Sequence, residues 1–123
     1  MTRKEKRLLL ADLSARLPYG VKVNNKIQGD FKVYGICEDA ILVRDKNKVS
    51  YIVCIEKIKP YLFPLSSMTV EQKEEYKYIT ERWMYDSSYS ISDSIDWLNK
   101  NHFDYRGLID KGLAFDCTNL NIY

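Results

Sequence analysis

Apolar residues at helical spacing open the chain. Leu9, Leu10, Leu13 and Leu17 fall on one face of a helix expected from about Arg3 to Leu17. Thr2 and Glu5 form a capping box at its start, and Pro18 with Gly20 ends it. The pattern then changes to short runs of β-branched and aromatic residues from Val21 to Leu62: "VKV", "FKVYGICED", "AILVRD" and "VSYIVCIEKI". "NNKIQGD" and "KNK" read as turns between them, and Gly35 as a bulge or sharp bend. "KPYLFPLSSM" holds two prolines and reads as an extended connector that leaves the sheet and packs across it. A second capping box, Thr69 with Gln72, starts a helix to about Met84 with Tyr76, Ile79 and Trp83 along one face. "YDSSYS" reads as a loop. Ser90 and Asp93 then begin a third helix carrying Ile91, Ile95, Trp97 and Leu98.

These elements predict an α+β fold. An N-terminal helix leads into a small antiparallel β-meander or partial barrel, and helices follow at the C-terminal end. In topology such short bent strands resemble the SH3-like and Sm-like small barrels, a likeness that carries no function. With 123 residues the expectation is a single domain over 1–123, divided into a helix (1–18), a β-rich part (21–62), a helical part (69–112) and a tail (113–123). Trp83, Trp97, Leu98, Phe103 and Leu108 are expected to share one core.

The densest chemistry lies in "NHFDYRGLIDKGLAFD". The chain's one histidine, His102, stands here beside Tyr105 and Arg106, with Asp104 between. Helix geometry accounts for most of the stretch. Asn101 suits the left-handed position that ends a helix, and Asp104 suits the cap of a short helix from Tyr105 to about Lys111. As a plain cap, Asp104 is expected to tolerate Asn or Ser. Catalysis finds little support. A histidine base needs an orienting partner and a nucleophile, and there is no G-x-S-x-G, no second histidine, no P-loop and no GxGxxG. His102 and Asp104 are the only enzyme candidates, and a non-enzyme is expected. An Arg–Tyr pair can instead clamp a phosphate or stack on a base. The ligand- or partner-binding candidates are therefore His102, Tyr105, Arg106, Lys22, Lys59, Tyr61 and Tyr19.

Charge sharpens this picture. The net charge is +2, but residues 1–60 carry 13 Lys+Arg against 7 Asp+Glu, and residues 61–123 carry 6 against 10. The basic half can attract phosphates or an acidic partner, with Lys22, Lys32, Lys48, Tyr34 and Tyr51 as the candidate nucleic-acid face. Cys37, Cys54 and Cys117 show no CxxC spacing, which predicts reduced thiols, no metal and no cofactor. No stretch approaches the ~20 apolar residues of a membrane helix, and the apolar run after "MTRKEKR" is too short for a signal peptide. A cytoplasmic site follows as the expectation.

"LLLADLSARLPYGVKV", "IEKIKPYLFPLSSMT" and "IDWLNKNHFDYRGLIDKGLA" resemble a group of uncharacterised small proteins of Bacteroidales genomes and their phages or prophages. The resemblance implies a mobile-element setting in a bacterial host and transfers no catalytic residue. Three ligand classes follow as expectations. The first is a host or phage protein, bound by a non-enzymatic accessory module. The second is a nucleotide signal of anti-phage defence, sequestered by a small-ligand binder. The third is RNA or DNA on a small barrel. A homodimer through an exposed strand edge or the tyrosines is a further expectation.

Overall fold

Thr2 and Glu5 satisfy each other's backbone donors as a reciprocal pair, Thr2 N–H to Glu5 Oε1 at 3.0 Å and Glu5 N–H to Thr2 Oγ1 at 3.1 Å. Helix α1 (Arg3–Arg16) begins there in a computed structural model that describes residues 1–25, 29–86, 88 and 90–123, and not the Trp83 side chain. A 3-10 turn (Leu17–Tyr19) and left-handed Gly20 redirect the chain into the sheet. Strands β1 (Lys22–Asn25), β2 (Gly29–Cys37), β3 (Ala40–Arg44) and β4 (Ser50–Cys54) form an antiparallel meander. The expected turn in "NNKIQGD" falls partly on residues 26–28, outside the described ones, as does part of "YDSSYS". The register shifts between Val33 and Gly35, as the glycine suggested. A β-carbon on Gly35 would stand 2.9 Å from Leu42 Cδ1, so any larger residue at the bulge would make the Leu42 side chain shift.

The connector reading of "KPYLFP" is corrected. A 3-10 turn (Ile55–Lys57) breaks the β4 run, and Ile58–Pro64 is strand β5, paired antiparallel with β1. Pro60 fits because it stands opposite Val23, whose neighbours on β1 direct their backbone groups toward β5. The missing N–H thus points away from that ladder. Helices α2 (Val70–Tyr85) and α3 (Ile91–Lys100) follow, α2 from the expected capping box of Thr69 and Gln72. Two short strands, β6 (Phe103–Asp104) and β7 (Phe115–Asp116), then pair parallel to β5. The result is α+β with a mixed seven-stranded sheet in the order β4-β3-β2-β1-β5-β6, with β7 also on β5. It is not a closed barrel: β4 and β5 do not pair, and β7 lies against Tyr61–Leu62 on the edge of β5 away from β1.

That chain straddles β5. Phe63 N–H donates to the His102 carbonyl, and Leu62 C=O accepts from Cys117 N–H. These adjacent groups point to opposite edges of the strand. One core lies between α1 and the sheet and contains Leu9, Leu13, Val23, Phe31, Ile41 and Leu62. A second contains Trp97, Leu98 and Phe103, with Tyr76, Ile79 and Phe63 against it. Trp97 stacks on Tyr76 at 5.4 Å and on Phe103 at 5.7 Å between centroids. The single five-residue core is therefore corrected. Leu108 belongs with α1 and the sheet, and the Trp83 side chain lies outside the described residues. Phe103 fills the joint between α3, β5 and β6, so Phe103→Ala should lower unfolding free energy by about 3–5 kcal/mol in denaturant titration.

Candidate functional site

Two places concentrate polar side chains, and they differ in whether the charges are already partnered.

The first is the corner after α3. Asp12 and Arg16 lie one turn apart on the buried face of α1, both fully buried. Arg16 Nε donates to Asp12 Oδ2 at 2.9 Å, and its Nη2 donates to the Phe103 carbonyl. Arg106 Nη1 reaches the other oxygen of Asp12, also at 2.9 Å. Tyr105 lies between the two guanidiniums, 5.4 Å from Arg16 and 4.5 Å from Arg106, and its hydroxyl donates to Asn99 Oδ1 at 3.0 Å. Tyr105 and Arg106 are thus engaged within the fold and do not present a free clamp.

His102, not Asn101, takes the left-handed position after α3, with φ of 63° against −96° for Asn101. Its ring is buried and stacks on Tyr123 at 3.6 Å, 9° from parallel. Nδ1 has no hydrogen-bond partner. Burial first, then the charges of Arg16 and Lys22, push its pKa down to about 4. A neutral, shielded imidazole stacked on Tyr123 packs as a ring within the fold. Tyr123 explains why it is held there. Its hydroxyl accepts from Lys22 N–H at 2.8 Å and donates to Tyr61 C=O at 2.9 Å. The β1–β5 register would bring Lys22 opposite Tyr61, so the phenol stands in place of the next rung. Burial raises the Tyr123 pKa well above the usual tyrosine value.

The short helix expected after Asp104 does not form; residues 105–112 are turns, with Gly107 and Gly112 at positive φ. Glycines at both places favour left-handed backbone that breaks a helix. Asp104 still caps, but further along. Oδ1 accepts from Leu108 N–H and Oδ2 from Ile109 N–H, each at 2.9 Å.

The second place is the outer face of the sheet. Register pairs Lys22 with Lys32 and Lys32 with Arg44, so three cations stand directly opposite one another across β1, β2 and β3. With Lys46, Asp30, Asp45, Phe31 and Asn47 they line an open cleft of about 560 Å³. Among the described residues, no carboxylate lies within ion-pair distance of Lys22, Lys32, Arg44 or Lys46. Asp30 is committed to the Tyr61 hydroxyl at 2.5 Å and the Asn24 amide at 2.8 Å. Those bonds lower its pKa, and burial together with Asp30 pushes that of Tyr61 up to about 12. Asp45 accepts from Asn47 and Val49 backbone N–H groups in the β3–β4 turn. Arg44 lies over the half-exposed Tyr34 ring at 4.1 Å.

Of the other expected residues, Lys22 joins the row, although its Nζ also donates to the Ile122 carbonyl. Lys59 lies over Phe115 at 5.1 Å, and Tyr19 is half-buried in the turn after α1. Lys32 and Tyr34 belong to the outer face, but Tyr51 packs edge-on against Phe31 on the core side, and Lys48 sits in the β3–β4 turn. Arg44, Lys46, Asp12 and Arg16 were not anticipated. Period-two alternation in "AILVRD" puts Arg44 opposite in facing to Val43, but which strand it would meet is not written locally.

No known protein family, curated protein or solved structure matches the chain. Among the described residues no helix is long and apolar enough to cross a membrane, and no group of three or more His, Cys, Asp or Glu is placed to hold a metal ion.

Two outcomes follow. Because each Asp104 oxygen accepts one N–H, Asn would turn a donor toward a donor. Asp104→Asn should therefore lose a large part of what Asp104→Ala loses, about 0.5–2 kcal/mol, in place of the mild effect expected of a plain cap; thermal or urea unfolding of both variants measures this. His102 is neutral when folded and titrates at about 6.5 when unfolded. The unfolded chain binds more protons between about pH 4 and 6.5, so stability from this residue is complete above that window and lost through it as pH falls. The loss should be on the order of 2–3 kcal/mol, and His102→Asn, which tolerates positive φ, should remove that component of the pH profile.

Proposed function

We propose that this chain is a non-enzymatic binding module that holds single-stranded nucleic acid on the outer face of its sheet. The observation that carries this reading is the cation row Lys22–Lys32–Arg44, which has no ion-pair partner among the described residues. Like charges directly opposite on neighbouring strands destabilise a sheet, so an anionic partner is the natural complement of such a row. Strands about 4.8 Å apart put the three charges within reach of consecutive phosphates. Tyr34, oriented by Arg44, adds an aromatic surface beside the row on which a base can stack. A nucleotide signal shares the phosphate chemistry, but the corner expected to hold it is occupied by internal contacts of Tyr105, Arg106 and His102. A host or phage protein as partner draws support from a different surface. Met84, Tyr85 and Ile91 are exposed around the α2–α3 connection. The mobile-element setting and a cytoplasmic site in a bacterial host remain part of the proposal, resting on sequence resemblance.

Fluorescence anisotropy with labelled single-stranded RNA and DNA tests the reading at low and at moderate salt. Binding at low salt that weakens steeply with salt is expected, and absence of binding to both at low salt overturns it. Lys32→Ala and Arg44→Ala should each reduce the salt slope by about 0.7 while leaving stability equal or slightly higher, since each removes like-charge repulsion. Melting curves with cyclic dinucleotides separate the two phosphate sources: a shift there without strand binding assigns the cleft to a small ligand.

A further inference from the structure

Strand β4 ends the sheet, and among the described residues β3 is its one strand neighbour. Two bonds fix which of its backbone groups are spent. Asp45 N–H donates to Val49 C=O at 3.0 Å, and Ile55 N–H donates to Asp39 C=O at 3.1 Å. The register between these ends is unbroken, Val43 opposite Tyr51 and Ile41 opposite Val53. In an antiparallel ladder the residues that bond the partner alternate with residues that point away. Tyr51 and Val53 therefore face β3, and Ser50, Ile52 and the Cys54 N–H face outward.

Sheet proteins ordinarily blunt such an edge with proline, a bulge, an inward charge or a covering segment. Ser50–Cys54 has no proline or charged residue and no register shift against β3. At the far end of the sheet the chain itself supplies β7 against the outer edge of β5, so the contrast lies within one molecule. Ile52 at the middle of the edge is 74% exposed, the highest value of any large aliphatic side chain among the described residues.

We propose that β4 pairs antiparallel with β4 of a second copy of this chain, across a two-fold axis at Ile52. The two Ile52 residues exchange N–H···O=C bonds, and each Cys54 N–H meets the Ser50 carbonyl of the other copy. The axis stands perpendicular to the sheet, so the two exposed Ile52 side chains pack on each other on the outer face. Self-complementarity is what selects a second copy over another strand: the same short apolar edge serves both sides of an isologous contact. If the cation row binds nucleic acid as proposed above, the dimer brings two rows onto one continuous face. Ser50 opposite Cys54 offsets them by four residues, about 14 Å along the strand direction.

The test is sedimentation velocity of the full chain without nucleic acid, from about 1 to 100 μM, a range that reveals weak as well as stable association. A concentration-dependent dimer is expected. Ile52→Pro removes an N–H that points away from β3, so the sheet's own ladder is kept while the two-fold bonds are lost. Ile52→Lys keeps the backbone and places like charges directly opposite each other. Both should weaken dimerisation at least tenfold with circular dichroism unchanged, and Ile52→Val should retain it. Should the proline variant unfold, the lysine variant decides. A wild-type chain monomeric at the highest concentration overturns the proposal, as does a dimer that survives Ile52→Lys. Neither result bears on strand binding by a monomer, which the anisotropy assay measures separately.

Discussion

The carboxylate of Asp12 is the group on which the arrangement of the molecule depends. It lies fully buried between two guanidiniums, Arg16 on its own helix and Arg106 from the far end of the chain. Without it Arg16 would be an unpaired buried charge, a situation that ordinarily costs about 3–5 kcal/mol. With it, Arg16 can direct Nη2 at the backbone of β6, where it meets the Phe103 carbonyl. The pairing joins α1, the corner after α3 and β6. Apolar packing between α1 and the sheet is non-directional, whereas this network fixes where the corner must sit.

The placement of that corner propagates into the sheet. Once Phe103 is held, His102 C=O meets Phe63 N–H and the His102 ring meets Tyr123. Tyr123 in turn completes the end of the β1–β5 ladder with its hydroxyl. A strand pair in the middle of the sheet is thus finished by a side chain from about a hundred positions away. The same C-terminal segment lays β7 on the outer edge of β5 at Tyr61–Leu62, while β4 ends the sheet on the other side. The open end and the exposed outer face are the surfaces the fold leaves for other molecules.

How much of this is legible in the sequence depends on the range of the interaction. Thr2 with Glu5 and Thr69 with Gln72 are contacts three residues apart, and both helix starts form as read. Gly35 announces its bulge because steric demand there is local. Pro60 and Pro64 mislead because a proline excludes only a donor on its own side. Strand β5 has a side where no donor is needed at Pro60, and that depends on a partner many residues distant. Asp12 and Arg16 are not singled out by the sequence, since their partners Phe103 and Arg106 lie far along the chain and nothing near α1 specifies them. For the candidate site, alternation places Lys32 and Arg44 on outward positions, but only the register of three strands makes them neighbours.

The two charged clusters use the same residue types to opposite ends. In the corner, two arginines share one carboxylate and are removed from contact with anything outside the fold. On the sheet, Asp30 and Asp45 are close to the cations and could have neutralised them. Instead, one oxygen of each is engaged elsewhere: Asp30 Oδ1 by Tyr61 and Asn24, Asp45 Oδ1 by the β3–β4 turn. The carboxylates that lower the net charge of the cleft are thus turned toward holding its walls: Asp30 ties β1 and β2 to β5, and Asp45 shapes the turn that carries Lys46. The cations keep their charge available while the backbone beneath them is rigidified. On the reading proposed above, that division suits this face to an anionic partner, and it rests on which hydrogen bonds the acids make, which composition alone does not record.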